Sequence, residues 1–550
     1  MSQPSVLIAG AGPAGLILGI SLLKNGVAVR LIDRESKHRV GSRGAGIQPR
    51  TLESYDILGV LPEILKRADP ELCRRRMYEL PGGTKVIKEL PVVEYVEPTP
   101  GMPHTNPVTL GQDLHEEILH GYLVELGGTV EFDTVLGSFD QLPDHVVAQL
   151  VKTRPDGTEA TESAKFDWLV GADGVHSVVR KQLGLSFVGE TKEEDYVLVG
   201  DIDVVNESLD RKFWHYWIPP SQMLILRPGA GTSWRMAFTG APEHWKKTLP
   251  TRDEFVEKFY AVTGRRDIKF GAATWLSSFR PSMRMVDKFG VGRVFVVGDA
   301  AHCHSPTGGQ GLNSSVQDSI NLGWKLALVA TGRAPATLLD SYSTERLPII
   351  AEMLKLTTSL YEQTAATAGT GDVGGWTTAF KRGGALGMLG VNTRGSTIVL
   401  VDDEHAAAEG GAYAAAAPGR VQAGYRAPDA PGLVGEDETT ARLFDVFGPA
   451  EHTVLVFGGD ALAHGAVKHA LACWPQGTEH TMLISRAGEK GESTVLREVL
   501  EDREGHAYAG YASDMTEGGM TIVIVRPDGV VGAVVSQAEG IERYGKLIFG

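Results

Sequence analysis

The chain of 550 residues is too long for one ordinary hydrophobic core and implies two or three domains. Its composition, 42% hydrophobic and 22% charged, is that of a soluble globular protein, and a net charge of −15 argues against nucleic acid, whose phosphates require a basic face. The three cysteines, Cys73, Cys303 and Cys473, lie far apart and form no CxxC pair, which excludes a disulfide framework and fits a reducing compartment.

Residues 1–4 lead straight into the first predicted strand, leaving no room for a signal or transit peptide. No apolar run approaches the roughly 20 residues that span a bilayer. A cytoplasmic enzyme without a membrane span is expected.

Residues 6–9 read as a buried strand. Gly10, Gly12 and Gly15 follow in GxGxxG spacing, with Pro13 and Ala14 opening a helix over 13–24. A second strand, 28–32, ends at Asp33 and is followed by Arg34. Gly10 permits the tight turn, Gly12 lets a pyrophosphate approach the backbone, and Gly15 lets helix and strand pack closely. The helix N-terminus offers bare N–H groups and a positive dipole end to phosphate. Asp33 stands where a carboxylate can accept from ribose hydroxyls. This combination predicts a dinucleotide site without choosing between NAD and FAD.

Two further strands end in glycine–aspartate turns. The strand over 168–170 runs into Gly171, Asp173 and Gly174, then a helix carrying Arg180, which either meets a phosphate or pairs on the helix surface. The strand over 293–297 ends at Gly298-Asp299, and "GGQGLNSSVQD" enters a long helix with apolar residues at helical spacing. That second helix N-terminus can serve negative charge on a flat ring, and Asp299 can hold sugar-alcohol hydroxyls. His302 and His304 lack the third ligand a metal site needs, so no metal is expected. Cys303 has no neighbouring base and reads as a small core residue.

Between these turns, "FWHYWI" (213–218) and "WRMAF" (234–238) alternate as strands of a sheet. Their aromatics suit either a pocket or a core. Tyr216, Arg235 and Arg284 are the candidate polar groups of a substrate cavity. "WHYWIP" nearly matches the WxWxIP signature of flavin-dependent halogenases, but Tyr216 replaces the second tryptophan. Residues 365–430 turn rich in Ala, Gly and Thr and read as a connection with one or two short helices. Beyond it come a strand ("HTVLVFGG"), a helix, a strand ("HTMLISR"), a hairpin around Pro527-Asp528-Gly529, and a last helix.

In order, GAGPAG with Asp33, GADGVHSVVR, and GDAAHCHSP…GGQGLN resemble the fingerprints of the class A flavoprotein monooxygenases, the para-hydroxybenzoate and phenol hydroxylase type. "SRGAGIQPRTLE" resembles that family's flavin-contacting loop, with Arg43 in the arginine position, and "TLGQDLHEEIL" the segment whose Gln112 reaches the cofactor. The resemblance covers roughly residues 5–345. It implies that the first turn holds the FAD pyrophosphate, that Asp173 and Gly174 serve FAD and NAD(P)H, and that Asp299 holds the ribityl chain. Pro306, Gly309, Gly311, Leu312 and Asn313 would face the flavin ring. It implies hydroxylation of a small-molecule aromatic (phenolic or related conjugated) substrate by NAD(P)H and O2 through a flavin C4a-hydroperoxide. Epoxidation, Baeyer–Villiger insertion and oxidative decarboxylation remain alternatives, as does a flavin-binding protein without turnover.

The implied fold is α/β: a Rossmann-like FAD-binding domain (1–190 and 281–364) with an inserted, mainly β substrate domain (191–280). The connection over 365–430 then leads to a thioredoxin-like domain (431–550), redox-inert because it holds only Cys473. A homodimer is favoured by resemblance alone. Phenol hydroxylases of this type carry an aspartate where this chain has Ala45, which argues for a different or bulkier substrate.

Overall fold

The computed structural model describes residues 5–550 except 70, 194, 207, 220–221, 241–247, 371–383, 402–409, 417–418, 490–495, 497 and 517. The chain is a mixed α/β protein built around three sheets, with smaller ones between them. Among the described residues no helix is long and apolar enough to cross a membrane.

The first sheet is six-stranded, in the order Gly290–Val291, Val294–Val296, Trp168–Gly171, Ser5–Ala9, Ala28–Ile32, Val130–Glu131. Ser5–Ala9 lies at its centre and pairs in parallel with Trp168–Gly171 and Ala28–Ile32; Trp168–Gly171 pairs in parallel with Val294–Val296. Val6, Leu7 and Ile8 are wholly buried, as a parallel strand covered on both faces demands. The topology thus brings the carboxyl ends of the strands before Gly10, Asp173 and Gly298 side by side. The Pro13–Lys24 and Gly311–Ala330 helices pack together, and Ser319 Oγ donates to Ala14 O at 2.8 Å.

The second sheet is seven-stranded, in the order Phe270–Phe279, Val197–Val204, Ser233–Thr239, Met223–Pro228, Phe213–Trp217, Arg74–Tyr78, Val86–Pro91. Its last two strands come from residues expected within the 1–190 unit. They carry adjacent charged residues, Arg74 to Arg76 and Lys88-Glu89, rather than an apolar alternation, so periodicity did not single them out. Strand alternation gives this sheet two unlike faces. Phe213, His215 and Trp217 point to the side covered by the Arg252–Thr263 helix, where Phe259 meets Trp217 edge-on at 5.3 Å. Trp214 and Tyr216 point to the other side. The strand's aromatics are therefore divided between the face under that helix and the opposite face, where Tyr216 is buried as well.

The third sheet, in the C-terminal part, runs Thr440–Ala441, Leu433–Val434, Glu498–Asp502, Glu479–Arg486, His452–Gly458, Met520–Val525, Val531–Val535. His452–Gly458, Glu479–Arg486 and the Met520–Val535 hairpin lie where strands were expected. The Ala461–Leu471 and Ala538–Phe549 helices pack with Ile541, Tyr544 and Ile548 in one apolar cluster. Much of the expected short helices over 365–430 lies outside the described residues. Of the remainder, the Asp340–Thr370 helix runs into this stretch and Gly384–Gly387 is one short turn.

A buried ionic cluster joins the third sheet to the Gly311–Ala330 and Asp340–Thr370 helices. Glu345 accepts from Arg526 (2.7 and 2.9 Å), Lys325 (2.8 Å), Asn321 (2.6 Å) and Ser396 (2.6 Å), and Arg526 also pairs with Asp528. Glu345, Lys325 and Arg526 are 0% exposed. Burial draws the Lys325 ammonium down to about 8, and the Glu345 charge opposes it. Glu345→Ala would leave two buried cations short of a counter-charge, a change that costs about 3–5 kcal/mol. A fall of that size in unfolding free energy is expected, read by urea denaturation against the parent protein; an unchanged midpoint would show that the cluster contributes nothing net.

Candidate active site

The first turn leaves space for a ligand on one side only. Gly10 has φ +108°, and a Cβ there would lie 2.3 Å from Ala172 O. A Cβ on Gly15 would lie 1.9 Å from Gly10 O, whereas one on Gly12 would meet nothing within 4 Å. The turn is thus packed against the neighbouring strand end, with its Gly12 side open. Gly12 is the N-cap and Pro13 opens the helix, so the N–H groups of Ala14 and Gly15 begin the bare end. Asp33 braces the turn: Oδ2 accepts Ala11 N–H at 2.7 Å and Oδ1 accepts Glu35 N–H at 2.9 Å. Each oxygen keeps a lone pair for a further donor. Arg34 points outward, 63% exposed, toward Glu35.

At the second turn, Asp173 Oδ2 accepts Val178 N–H at 2.7 Å, and its Oδ1 is buried without a partner. Gly174 has φ +77°. Arg180 does not present its charge outward. Its Nη atoms donate to Ala300 O (2.9 Å) and Val175 O (2.7 Å), and it stacks on Phe187 at 3.9 Å. It ties the Asp173 turn to the Gly298 corner.

That corner is held from beneath. Gly298 has φ +58°, and a Cβ would come 2.8 Å from Ser315 Oγ. Its N–H donates to Asp318 Oδ2 at 3.0 Å, the same oxygen that meets His302 Nε2 at 2.7 Å, while Arg346 Nε donates to Oδ1 at 2.6 Å. Asp299 faces an open crevice and is exposed, yet protein walls surround it closely. Desolvation therefore raises its carboxyl, against the pull of His302, Arg39 and Arg43. His304 meets Ser305 O at 2.6 Å, and burial lowers its imidazole to about 4.

Pro306 and Gly309 are exposed beside the corner, and Leu312 is half-buried. Gly311 lies under the His304 ring, 2.7 Å from Nε2 to a Cβ built there. Asn313 is fully used by the protein: it accepts Gln48 N–H (2.8 Å) and donates to Gly46 O (3.0 Å) and Gly309 O (2.8 Å). It clamps the loop after Arg43 to the helix start. Gln112 accepts Gly44 N–H at 3.2 Å, holding the same loop from the other side.

The loop is also joined to that opposite face of the seven-stranded sheet. Ser42 N–H donates to Asp201 Oδ2 at 2.6 Å, Arg235 Nε donates to Asp201 Oδ1 at 3.2 Å, and Arg235 Nη1 donates to Arg43 O. Arg43 lies 5.9 Å from the Trp275 ring centre. Tyr216 and Arg235 share this face. Arg284 does not: it belongs to the Phe187–Thr191, Ser282–Val286, His302–Cys303 sheet, where it donates to Phe187 O (3.1 Å) and Thr191 Oγ1 (3.3 Å). Arg75 and Met77 of "RRRMY", with Asp201, Arg227 and Trp275, join the face without having been singled out; the run of three arginines was the one legible signal there.

A profile of the FAD binding domain family matches residues 3–357. A flavin-dependent monooxygenase of Mycobacteroides abscessus is 36% identical over 474 residues, 83% of this chain and 89% of that protein. The 6-methylpretetramide 4-monooxygenase of Streptomyces rimosus is 35% identical over 360 residues, 64% of this chain and 61% of the relative. The crystal structure of aklavinone-11 hydroxylase with FAD and aklavinone superposes with TM-score 0.75 at 25% identity, covering 99% of each chain. The chain belongs to this family: it is a FAD-dependent class A flavoprotein aromatic monooxygenase.

The crevice suits FAD, since it combines a glycine turn with one open side, a bare helix end, and Asp299 aimed into free space. Gly10→Ala is expected to lose nearly all visible flavin absorbance per protein, because the added methyl meets Ala172 backbone at a φ that L residues avoid. Asp299→Ala is expected to lose most of it. Stoichiometric yellow cofactor in the purified Asp299 variant would remove the corner from the site.

Proposed function

We propose that this enzyme uses NAD(P)H and O2 to hydroxylate an aromatic or related conjugated ring lying between the flavin crevice and the Tyr216 face of the seven-stranded sheet. The observation that carries this reading is the convergence of three strand-end turns, at Gly10, Asp173 and Gly298, beside a loop bonded to that face. Gly10, Gly12, Ala14 and Gly15 receive the pyrophosphate at the first helix end. Asp33 takes the ribose hydroxyls and Asp299 the ribityl hydroxyls. The Gly309 to Leu312 helix entry faces the ring, where bare N–H groups favour negative charge. Bound FAD supplies the redox and oxygen chemistry.

The protein's own work is to orient and to keep water out. Trp275, Tyr216 and the apolar positions of the sheet form a wall on which a ring can rest. The relatives named for 6-methylpretetramide and aklavinone support an aromatic substrate. The C-terminal unit reads as thioredoxin-like in element order and redox-inert. Cys473 is exposed and the one cysteine of that unit, so the unit serves packing or dimer support rather than electron transfer. Three free thiols fit a cytoplasmic setting.

The test is a panel of phenolic compounds offered to the yellow enzyme with NADH or NADPH under labelled O2. At least one is expected to accelerate NAD(P)H oxidation and to emerge carrying one labelled oxygen. If every compound leaves the rate unchanged, or all reducing equivalents end in hydrogen peroxide without labelled product, the reading fails.

A further inference from the structure

The stretch from Asp33 to Ala45 links the first turn to the Arg43 loop and forms neither helix nor strand. Both its ends are fixed. Asp33 O accepts Thr134 N–H and Glu35 O accepts Asp133 N–H, each at 2.9 Å, while Ser42 and Gly44 donate to Asp201 and Gln112. Its middle hangs on one pair. Among the described residues, the one hydrogen bond that residues 36–40 make joins His38 Nε2 to His120 Nδ1 at 2.8 Å. The ring centres lie 4.4 Å apart, and Phe132 stands edge-on to His38 at 5.1 Å.

His120 belongs to a stripe. Gln112, Glu116 and His120 are spaced by four on the Gln112–Glu125 helix and so share one face. Gln112 accepts from Gly44 and donates to Glu116 Oε1 at 2.8 Å. Glu116 is buried and faces Arg39 and Arg43. The helix face thus meets the stretch at His38, at the two arginines and at Gly44. Arg39, half-buried beside His38, also faces Asp299. The imidazole pair therefore holds a segment that brings a cation to the crevice.

Such a pair is joined by a single proton: one ring donates N–H and the other accepts it. Burial lowers both imidazoles, against the pull of Asp33 and Glu117 on His38, so both are uncharged at pH 7. One added proton can sit on an outer nitrogen and leave the bond intact. A second sets N–H against N–H and places two positive charges side by side. The charged groups facing His38 are Asp33, at the strand end, and Glu117, on the helix; the group facing His120 is His38. Asp33 is bonded to Ala11 and Glu35, and Glu117 to Arg67, so neither replaces the broken bond.

We propose that His38 and His120 are positioning residues whose hydrogen bond keeps the 36–40 segment and Arg39 at the cofactor crevice, and that double protonation of the pair releases the segment and weakens FAD binding. This rests on the placement of FAD in that crevice. The sign follows from proton counting. In the released segment each ring titrates in the ordinary range, at about 6.5, above its value in the joined pair. The joined form is therefore complete above that pH and is lost as the pH falls below it.

The experiment takes the flavin-loaded parent, His120→Gln and His120→Leu from pH 8 to pH 5.5, and reads released FAD by its fluorescence after dilution. In the parent the FAD dissociation constant is expected to hold steady down to pH 7 and then to rise roughly fivefold or more by pH 5.5. His120→Leu should bind FAD at pH 8 about as weakly as the parent does at pH 5.5, with the acid response largely gone. His120→Gln, whose amide bonds His38 without taking up a proton, should keep tight binding at both ends of the range. Glu116 and Asp299, both raised by burial, titrate in all three proteins and set a common background. A parent whose FAD affinity ignores pH, or an acid response of the same size in both variants, overturns the proposal. So does loss of far-ultraviolet circular dichroism over the same range, since release would then be part of global unfolding. Full flavin retention in Asp299→Ala at pH 8 would sink the placement of FAD instead.

Discussion

The Asp318 carboxylate is the constraint on which the crevice depends. It is wholly buried and receives Gly298 N–H, His302 and Arg346 at once. A carboxylate in that position without donors would be expensive to bury. Burial raises its carboxyl, but Arg346 and His302 prevail and hold it below the usual range, so it stays charged. The result is that a strand end, a helix and the long Asp340–Thr370 helix meet at one point. The Gly298-Asp299 corner has its shape because that point does not move.

Neighbouring residues on the long helix carry this constraint outward. Arg346 reaches in to Asp318, while Glu345 reaches the Arg526–Asp528 hairpin of the C-terminal sheet. The C-terminal unit is therefore bonded to the helix that supports the cofactor corner. Arg50 adds a second tie, donating to Asp528 O at 3.0 Å from the helix that follows the Arg43 loop. The C-terminal unit is thus bonded both to the helix under the Gly298 corner and to the helix after the Arg43 loop.

The two faces of the seven-stranded sheet are chemically unlike. Its covered face buries Trp217, Phe238, Phe255 and Phe259 in a continuous apolar cluster, the kind of area whose removal from water drives folding. Its opposite face holds guanidinium groups with too few carboxylates, an arrangement that folding does not favour. The first face stabilises the sheet enough for the second to keep unsatisfied donors.

Local sequence determined the turns, since a positive φ or a backbone contact below van der Waals distance admits only glycine. Gly10, Gly15 and Gly298, and the strands and helices about them, were legible for that reason, and so was the family they resemble. The apolar alternation of "FWHYWI" likewise determined a strand. Only the tertiary structure decided which groups meet. Arg180 and Asn313, read as ligand contacts, spend their hydrogen bonds on main-chain carbonyls and N–H groups distant in sequence, and Arg284 lies in another sheet. Arg227 and Arg235 meet only because strand pairing sets them opposite one another. Short-range spacing dictates backbone conformation, whereas charge balance is a property of neighbours that register and packing choose, and no single stretch of chain contains it.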